Sequence, residues 1–252
     1  MQRMPGCGML PILMTLIMLL ISPLPHAAEL NALTEYLPPL NYEENGKITG
    51  YATELLQAMA QDAEIPVNIT LLPWARAFQT ALAQPNTLIY SMTRLPEREA
   101  LFEWIGPINH QRIYMFKLRS RKEIVVNSLD DVARYTVGLV RETASTKLFL
   151  ANSGKTGGHP DYAPTIESNV KKLLLKRVDL IILQKSSAVY YTKYLKLAEG
   201  ELEAVLLLGP ANDEYFALSK PADPAILNSL QKSFEKMESS GKMEQLKDKY
   251  LR

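Results

Sequence analysis

Thr87-Leu88-Ile89-Tyr90-Ser91-Met92-Thr93-Arg94-Leu95-Pro96-Glu97-Arg98 is the stretch on which the reading of this chain turns. Thr87 to Tyr90 is an apolar, β-branched run of the kind found in a buried strand, and Pro96 suits the first turn of a helix. The chain therefore turns a corner at Thr93. At such a corner free backbone N–H groups and the positive end of a helix favour an anion, and the Arg98 guanidinium adds a planar fork that matches a carboxylate. The alternative is a surface ion pair of Arg98 with Glu97, Glu99 or Glu103, worth only about 0–1 kcal/mol.

Working outward, Leu30 to Tyr36 reads as a strand stopped by Leu37-Pro38-Pro39, and Glu44-Asn45-Gly46 turns into a helix with Leu55, Leu56, Met59 and Ala60 on one face. Val67 to Leu71 alternates as a strand, and Pro73-Trp74 opens a helix over about Ala75 to Leu82. This order predicts an α/β fold with mostly parallel sheets. Ligands of such sheets collect at the carboxyl ends of strands, where Tyr36, Trp74, Ser91 and Thr93 fall. Downstream, Arg112 to Leu118 reads as a strand crossing into a second lobe, and Ser128-Leu129-Asp130-Asp131 as a helix start. Thr136 to Val140 is a strand, Arg141 to Ser145 a turn, and Thr146 to Ala151 helical. Val178 to Leu183 is the most apolar strand of this lobe, ending at Gln184. Ala204 to Leu208 and Tyr215 to Ser219 read as the return crossing. A helix from Asp223-Pro224 and a short last helix bearing Met243, Leu246 and Tyr250 follow. The expected division is 29–112 with 209–252 for the first lobe and 113–208 for the second.

At the start, Arg3, an apolar run from Met9 to Ile21 and Ser22 to Ala28 have the pattern of a secretory leader, residues 1–28, cleaved after Ala27 or Ala28. The run is too short for a comfortable membrane span, and Pro11 interrupts it. The single cysteine, Cys7, leaves with it. Of 28 basic residues Arg3 goes too, leaving 27 to balance 27 acidic ones, so neither nucleic acid nor an acidic membrane is expected as a partner. His110 and His159 stand far apart outside any metal-ligand spacing, and Gly154-Lys155-Thr156 lacks the upstream glycine of a phosphate loop and reads as an exposed turn. No catalytic residue, metal or cofactor is expected.

Leu37 to Tyr42, Asn45 to Tyr51, Leu55 and Leu56, Met92 to Arg98 and Phe102 to Pro107, in this order, resemble the periplasmic solute-binding proteins of polar amino acid importers, family 3. The resemblance covers nearly the whole chain after the leader. It implies a type II periplasmic-binding-protein-like fold, two α/β lobes joined by a hinge of two crossing strands. It also implies a monomeric, non-enzymatic, periplasmic product that carries a small carboxylate-bearing or amino-acid-like solute to the membrane permease of an ABC importer. By position it implies that Arg98 binds the solute carboxylate with Thr93 beside it, that Trp74 is either an aromatic wall or core packing, and that Thr143 adds a hydroxyl. Glu142 stands where such proteins usually carry glycine. Gln184 stands where amino acid binders usually place an aspartate for the ligand's ammonium, and a neutral amide cannot neutralise that charge. An ordinary α-amino acid is therefore in question, with Glu142 and Glu35 as compensating carboxylates or as solvated loop residues. Arg76 points either into the cleft or to solvent. Two other readings stand beside this one: a periplasmic dehydratase of the cyclohexadienyl type, and a sensory binder that presents its closed form to a membrane receptor.

Overall fold

The computed structural model describes residues 29–153 and 158–251, together with Gln2. The expected leader apart from Gln2, Cys7 within it, and the Gly154-Lys155-Thr156 turn lie outside the described residues. The chain opens with β1 (Leu30–Thr34), the hairpin β2 (Tyr42–Glu44) and β3 (Lys47–Thr49), and α1 (Tyr51–Asp62). There follow β4 (Val67–Leu71), α2 (Trp74–Ala83), β5 (Thr87–Thr93), a 3-10 helix over Pro96–Leu101 and β6 (Phe102–Gln111). β7 (Ile113–Leu118), a second 3-10 helix (Leu129–Arg134), β8 (Thr136–Val140) and α3 (Ala144–Ser153) lead on to β9 (His159–Ala163), α4 (Ile166–Leu174), β10 (Leu180–Gln184) and α5 (Lys185–Tyr194). β11 (Leu202–Leu207), β12 (Asn212–Ser219), α6 (Pro224–Ser239) and α7 (Lys242–Tyr250) complete the described chain.

Two five-stranded sheets, ordered β4-β1-β5-β12-β6 and β11-β7-β10-β8-β9, form two lobes. They are mixed where mostly parallel sheets were expected. β4, β1 and β5 pair in parallel, as do β10, β8 and β9, but β12 runs antiparallel to β5 and β6, and β7 antiparallel to β10 and β11. The physical reason is the crossing itself. A strand that arrives from the other lobe has no helical crossover to reverse its direction, so it enters the sheet antiparallel. The strands of one sheet pass directly into those of the other twice, through Arg112 between β6 and β7 and through residues 208–211 between β11 and β12.

Burial follows the pattern of side chains. Every residue of β5 is buried, which accounts for its lack of alternation, and α2 buries Trp74, Ala77, Phe78 and Ala81 at the spacing of one helical face. Leu55, Leu56 and Met59 of α1 pack with Leu230, Phe234 and Met237 of α6 against the first sheet. In the second lobe Phe149 of α3 packs against one face of the sheet with Met115 and Leu139, while Val170, Leu173 and Tyr191 pack with Phe116 and Ile181. The helix at Pro96 is a short 3-10 turn that holds Arg98 inside the molecule. Ser128 and Asp131 form a capping box at the expected second-lobe helix start, which is a 3-10 helix.

Candidate ligand-binding site

β1, β5 and α2 converge at the junction of the lobes, and a cavity there is lined by Glu35, Trp74, Ser91, Thr93, Arg98, Gln111, Thr143, Ser145, Gln184 and Glu214, with Leu37, Ile113, Ala144, Ile166, Ile182 and Leu183. Arg98 is only 1% exposed. One guanidinium nitrogen donates to the Thr93 carbonyl at 3.1 Å and the other to the Glu142 carbonyl, on the opposite lobe, at 2.9 Å. Its planar face lies 5.3 Å from the Trp74 ring centre and 5.1 Å from that of Phe78. Among the described residues no carboxylate comes within ion-pair distance of it, and its Nε has no hydrogen-bond partner. Burial lowers its pKa to about 10, with Glu97, Glu142 and Glu35 opposing the shift, so the group stays charged near neutral pH.

Two carboxyl groups are buried with it. Glu214 is 0% exposed and accepts from the side-chain amides of Asn109 and Gln184, both at 2.8 Å. Burial raises its pKa to about 7, and those two hydrogen bonds hold it back from rising further. Glu35, 8% exposed, is raised to about 8 by burial and by the negative field of Glu214, against the attraction of Arg98. Neither carboxyl has a lysine or arginine within ion-pair distance among the described residues. Gln111 Oε1 and Gln184 Oε1 are buried and without hydrogen-bond partners, as is Arg98 Nε. One free donor and two free acceptors thus belong to residues lining the same cavity.

The lobes are joined around this cavity by direct hydrogen bonds. Trp74 Nε1 donates to the Glu142 carbonyl at 2.9 Å, Gln184 reaches Glu214, and the Ser187 hydroxyl donates to the Pro38 carbonyl at 2.7 Å. Tyr42 and Tyr190 add a ring contact at 5.3 Å. Glu142 adopts a left-handed backbone with φ of 61°, which explains why a glycine suits this position. Its carbonyl receives two donors from the first lobe, while its exposed carboxylate stands 3.5 Å from Lys147, itself 3.6 Å from Glu97.

Of the residues singled out from sequence, Arg98, Thr93, Ser91, Trp74, Thr143 and Gln184 line one cavity. Glu142 meets it through its backbone. Tyr36 falls outside, in an outer groove with Glu43, Leu71 and Thr165, because successive residues of an extended segment point to opposite sides and Glu35 takes the inward position. Arg76 is exposed and does not line the cavity. Ser91, with φ of 57° beside a bulge in the β5–β12 pairing, bonds to the Asn41 side chain, which in turn bonds to the Glu35 carbonyl, so it props the loop after β1. The Thr143 hydroxyl accepts from the Thr146 N–H at 3.3 Å and donates to the Val140 carbonyl at 2.9 Å, fixing the start of α3. Trp74 faces Arg98 and stacks on Phe78 at 6.0 Å between ring centres. Sequence reasoning missed Gln111 and Glu214. No group of three or more histidine, cysteine, aspartate or glutamate side chains among the described residues is arranged to hold a metal, and no described helix is long and apolar enough to cross a membrane.

The same architecture recurs in known proteins. An ancestral arginine-binding protein bound to arginine superposes with a TM-score of 0.80 at 18% identity, covering 89% of this chain and 98% of the other. The ancestral amino acid-binding protein AncCDT-1, a precursor of cyclohexadienyl dehydratase, gives 0.74 at 18% identity, covering 89% and 95%. In sequence, the arginine-binding extracellular protein ArtP of Bacillus subtilis (strain 168) is 23% identical over 219 residues, spanning 84% of this chain and 82% of ArtP. The profile of the bacterial extracellular solute-binding proteins, family 3, matches residues 31–252, and with the two mixed α/β lobes closed on a polar cavity this chain belongs to that family.

Proposed function

We propose that this protein captures a small carboxylate-bearing solute of amino-acid type between its lobes and delivers it, without chemical change, to the permease of an ABC importer in the periplasm. The observation that carries this reading is Arg98, a charged group taken out of water and set against the Trp74 and Phe78 rings, with no carboxylate partner among the described residues and an unpaired Nε at the cavity. A buried guanidinium without a counter-ion is costly, and a ligand carboxylate removes that cost with bidentate geometry. Hydroxyls at Thr93 and Ser145 and the start of α3 surround the same space.

The test is thermal denaturation against a panel of amino acids, organic acids and short peptides. A true ligand stabilises the folded state by about 2.7 kcal/mol at a hundredfold excess over Kd. A shift that vanishes in Arg98→Ala supports the reading, and a protein that responds to no member of the panel and releases no bound solute on denaturation contradicts it. One observation favours a second reading. Glu35, lining the same cavity as Arg98, keeps its proton near neutral pH, as a general acid for a dehydration must. Formation of an aromatic product from prephenate or arogenate would establish that reading, and binding without product would exclude it.

A further inference from the structure

We infer that the second lobe carries a further binding site, outside the cleft, for a dissolved amphiphilic anion: an apolar chain or ring that ends in a carboxylate, sulfate or sulfonate. The site is a groove of about 790 Å³ between α5 and β11, the edge strand of the second sheet. Alternation along β7 builds its floor. Ile113 and Met115 face the core that holds Phe149, while Tyr114 and Phe116 belong to the other side of the sheet with Leu202 of β11 and Ala188 of α5. Phe116 stands opposite Ala204, whose short side chain is exposed and leaves the floor open where a larger residue would fill it. Ala188, Val189 and Thr192 form the helical wall, and Val189 is 48% exposed. A groove of this size with an apolar floor falls within the range of about 300–1,000 Å³ usual for small-molecule sites.

Charge fixes the other end of the ligand. Lys185, Val189 and Lys193 follow one another at intervals of four along one face of α5, and Lys196 stands just past its end, so three ammonium groups border the groove. The Lys196 N–H donates to the Lys193 carbonyl at 3.1 Å, which brings these two lysines into one turn. Among the described residues none of the three has a carboxylate within ion-pair distance, and Glu199 is the one acidic side chain lining the groove. Lysine stems lie along apolar surface while their ammonium groups stay in water at the rim. An anionic head therefore meets an excess of positive charge while its apolar body displaces water from Phe116 and Ala204. A cationic amphiphile meets repulsion at the same rim. A bilayer fits less well, because the groove is concave and, after the expected leader, 27 basic residues balance 27 acidic ones and give no bulk attraction for an acidic membrane.

Titration of the purified protein with anilinonaphthalene sulfonate, read by fluorescence and calorimetry with decanoate as competitor, tests this. Butyrate, decyltrimethylammonium and phosphatidylglycerol vesicles serve as comparisons. The expected result is one saturable site from which decanoate displaces the sulfonate, with butyrate and decyltrimethylammonium at least about tenfold weaker and no protein held on the vesicles. Ala204→Phe, at an exposed strand position that accepts an aromatic ring, should weaken binding at least about tenfold, the loss of roughly two buried methylenes. Lys193→Gln with Lys196→Gly, where glycine suits the left-handed φ of 52° at Lys196, should weaken it by about three- to tenfold. Melting curves check that each variant is folded. Arg98→Ala should leave the site unchanged, since Arg98 lies in the cleft. No saturable binding to the wild type, equal binding of the cationic amphiphile, indifference to both groove variants, or loss of binding in folded Arg98→Ala overturns the inference. Capture on vesicles without binding of the dissolved probes overturns it as well, and assigns the lysine face to a membrane. None of these results bears on whether the cleft binds a carboxylate at Arg98.

Discussion

The two lobes meet the cavity with different chemistry. The first contributes all three of its ionisable groups, Arg98, Glu35 and Glu214, each buried and each fixed by a strand or by the turn that follows one. The second contributes a backbone carbonyl at Glu142, hydroxyls at Thr143 and Ser145, the Gln184 amide and an apolar wall. Charges set in one rigid body are preorganised, and a neutral partner closes over them without burying a charge of its own. In this account the first lobe decides what is bound, and the second decides how firmly the lobes shut.

The largest effect expected on that comparison comes from removing a first-lobe charge. Arg98→Ala should lower affinity more than a hundredfold, since breaking one side of a buried ion pair costs about 3–5 kcal/mol, and Arg98→Lys should not restore it because lysine lacks the planar fork. Isothermal titration beside an unchanged circular dichroism spectrum separates this from loss of fold. Next comes the response of the ligand-free protein to pH. The Glu35 and Glu214 pKa values are raised from the ordinary 4.5 to about 8 and about 7. The native state therefore binds more protons than the unfolded state in that window, and stability falls as pH rises from 4.5 to about 8. Melting temperature should drop over that interval, with Glu35→Gln flattening its upper part.

Changes to the contacts between the lobes and to the second lobe should be smaller. Trp74→Phe keeps the ring over Arg98 and removes one donor from the Glu142 carbonyl, which Arg98 still satisfies. A net hydrogen bond of about 0.5–1.5 kcal/mol converts to a two- to tenfold loss of affinity, unaccompanied by a change in which solutes bind. Thr143→Ala removes the hydroxyl at the start of α3 and should cost about 1 kcal/mol of stability in denaturant titration. A change of solute preference in Thr143→Ala would break the division of labour between the lobes.

How far the site was legible in the sequence depends on which residues local pattern describes. Arg98 was legible because a strand, a proline-started turn and a guanidinium stand within one short segment. The strands and helices were legible from periodicity and the two lobes from the family resemblance, whereas the antiparallel entry of β7 and β12 was not, because strand direction is set by partners distant in sequence. Glu214 illustrates the limit. Glu214 lies just before the strand read from Tyr215 to Ser219, and only the placement of β12 between β5 and β6 takes it out of water. Gln184, considered alone, removes an amine partner from the second lobe. Set 2.8 Å from Glu214, it orients a carboxyl supplied by the first.

On the proposed function, this cleft reads a carboxylate and an amine through the charges of one lobe. Mass spectrometry of the small molecules released when the purified protein is denatured, followed by rebinding of the identified compound to ligand-free wild type and to Glu214→Gln, tests it most directly. The expected result is an amine-bearing carboxylate that rebinds one to one and binds the variant at least tenfold more weakly. A released solute lacking either a carboxylate or an amine, rebinding equally to both proteins, would contradict it.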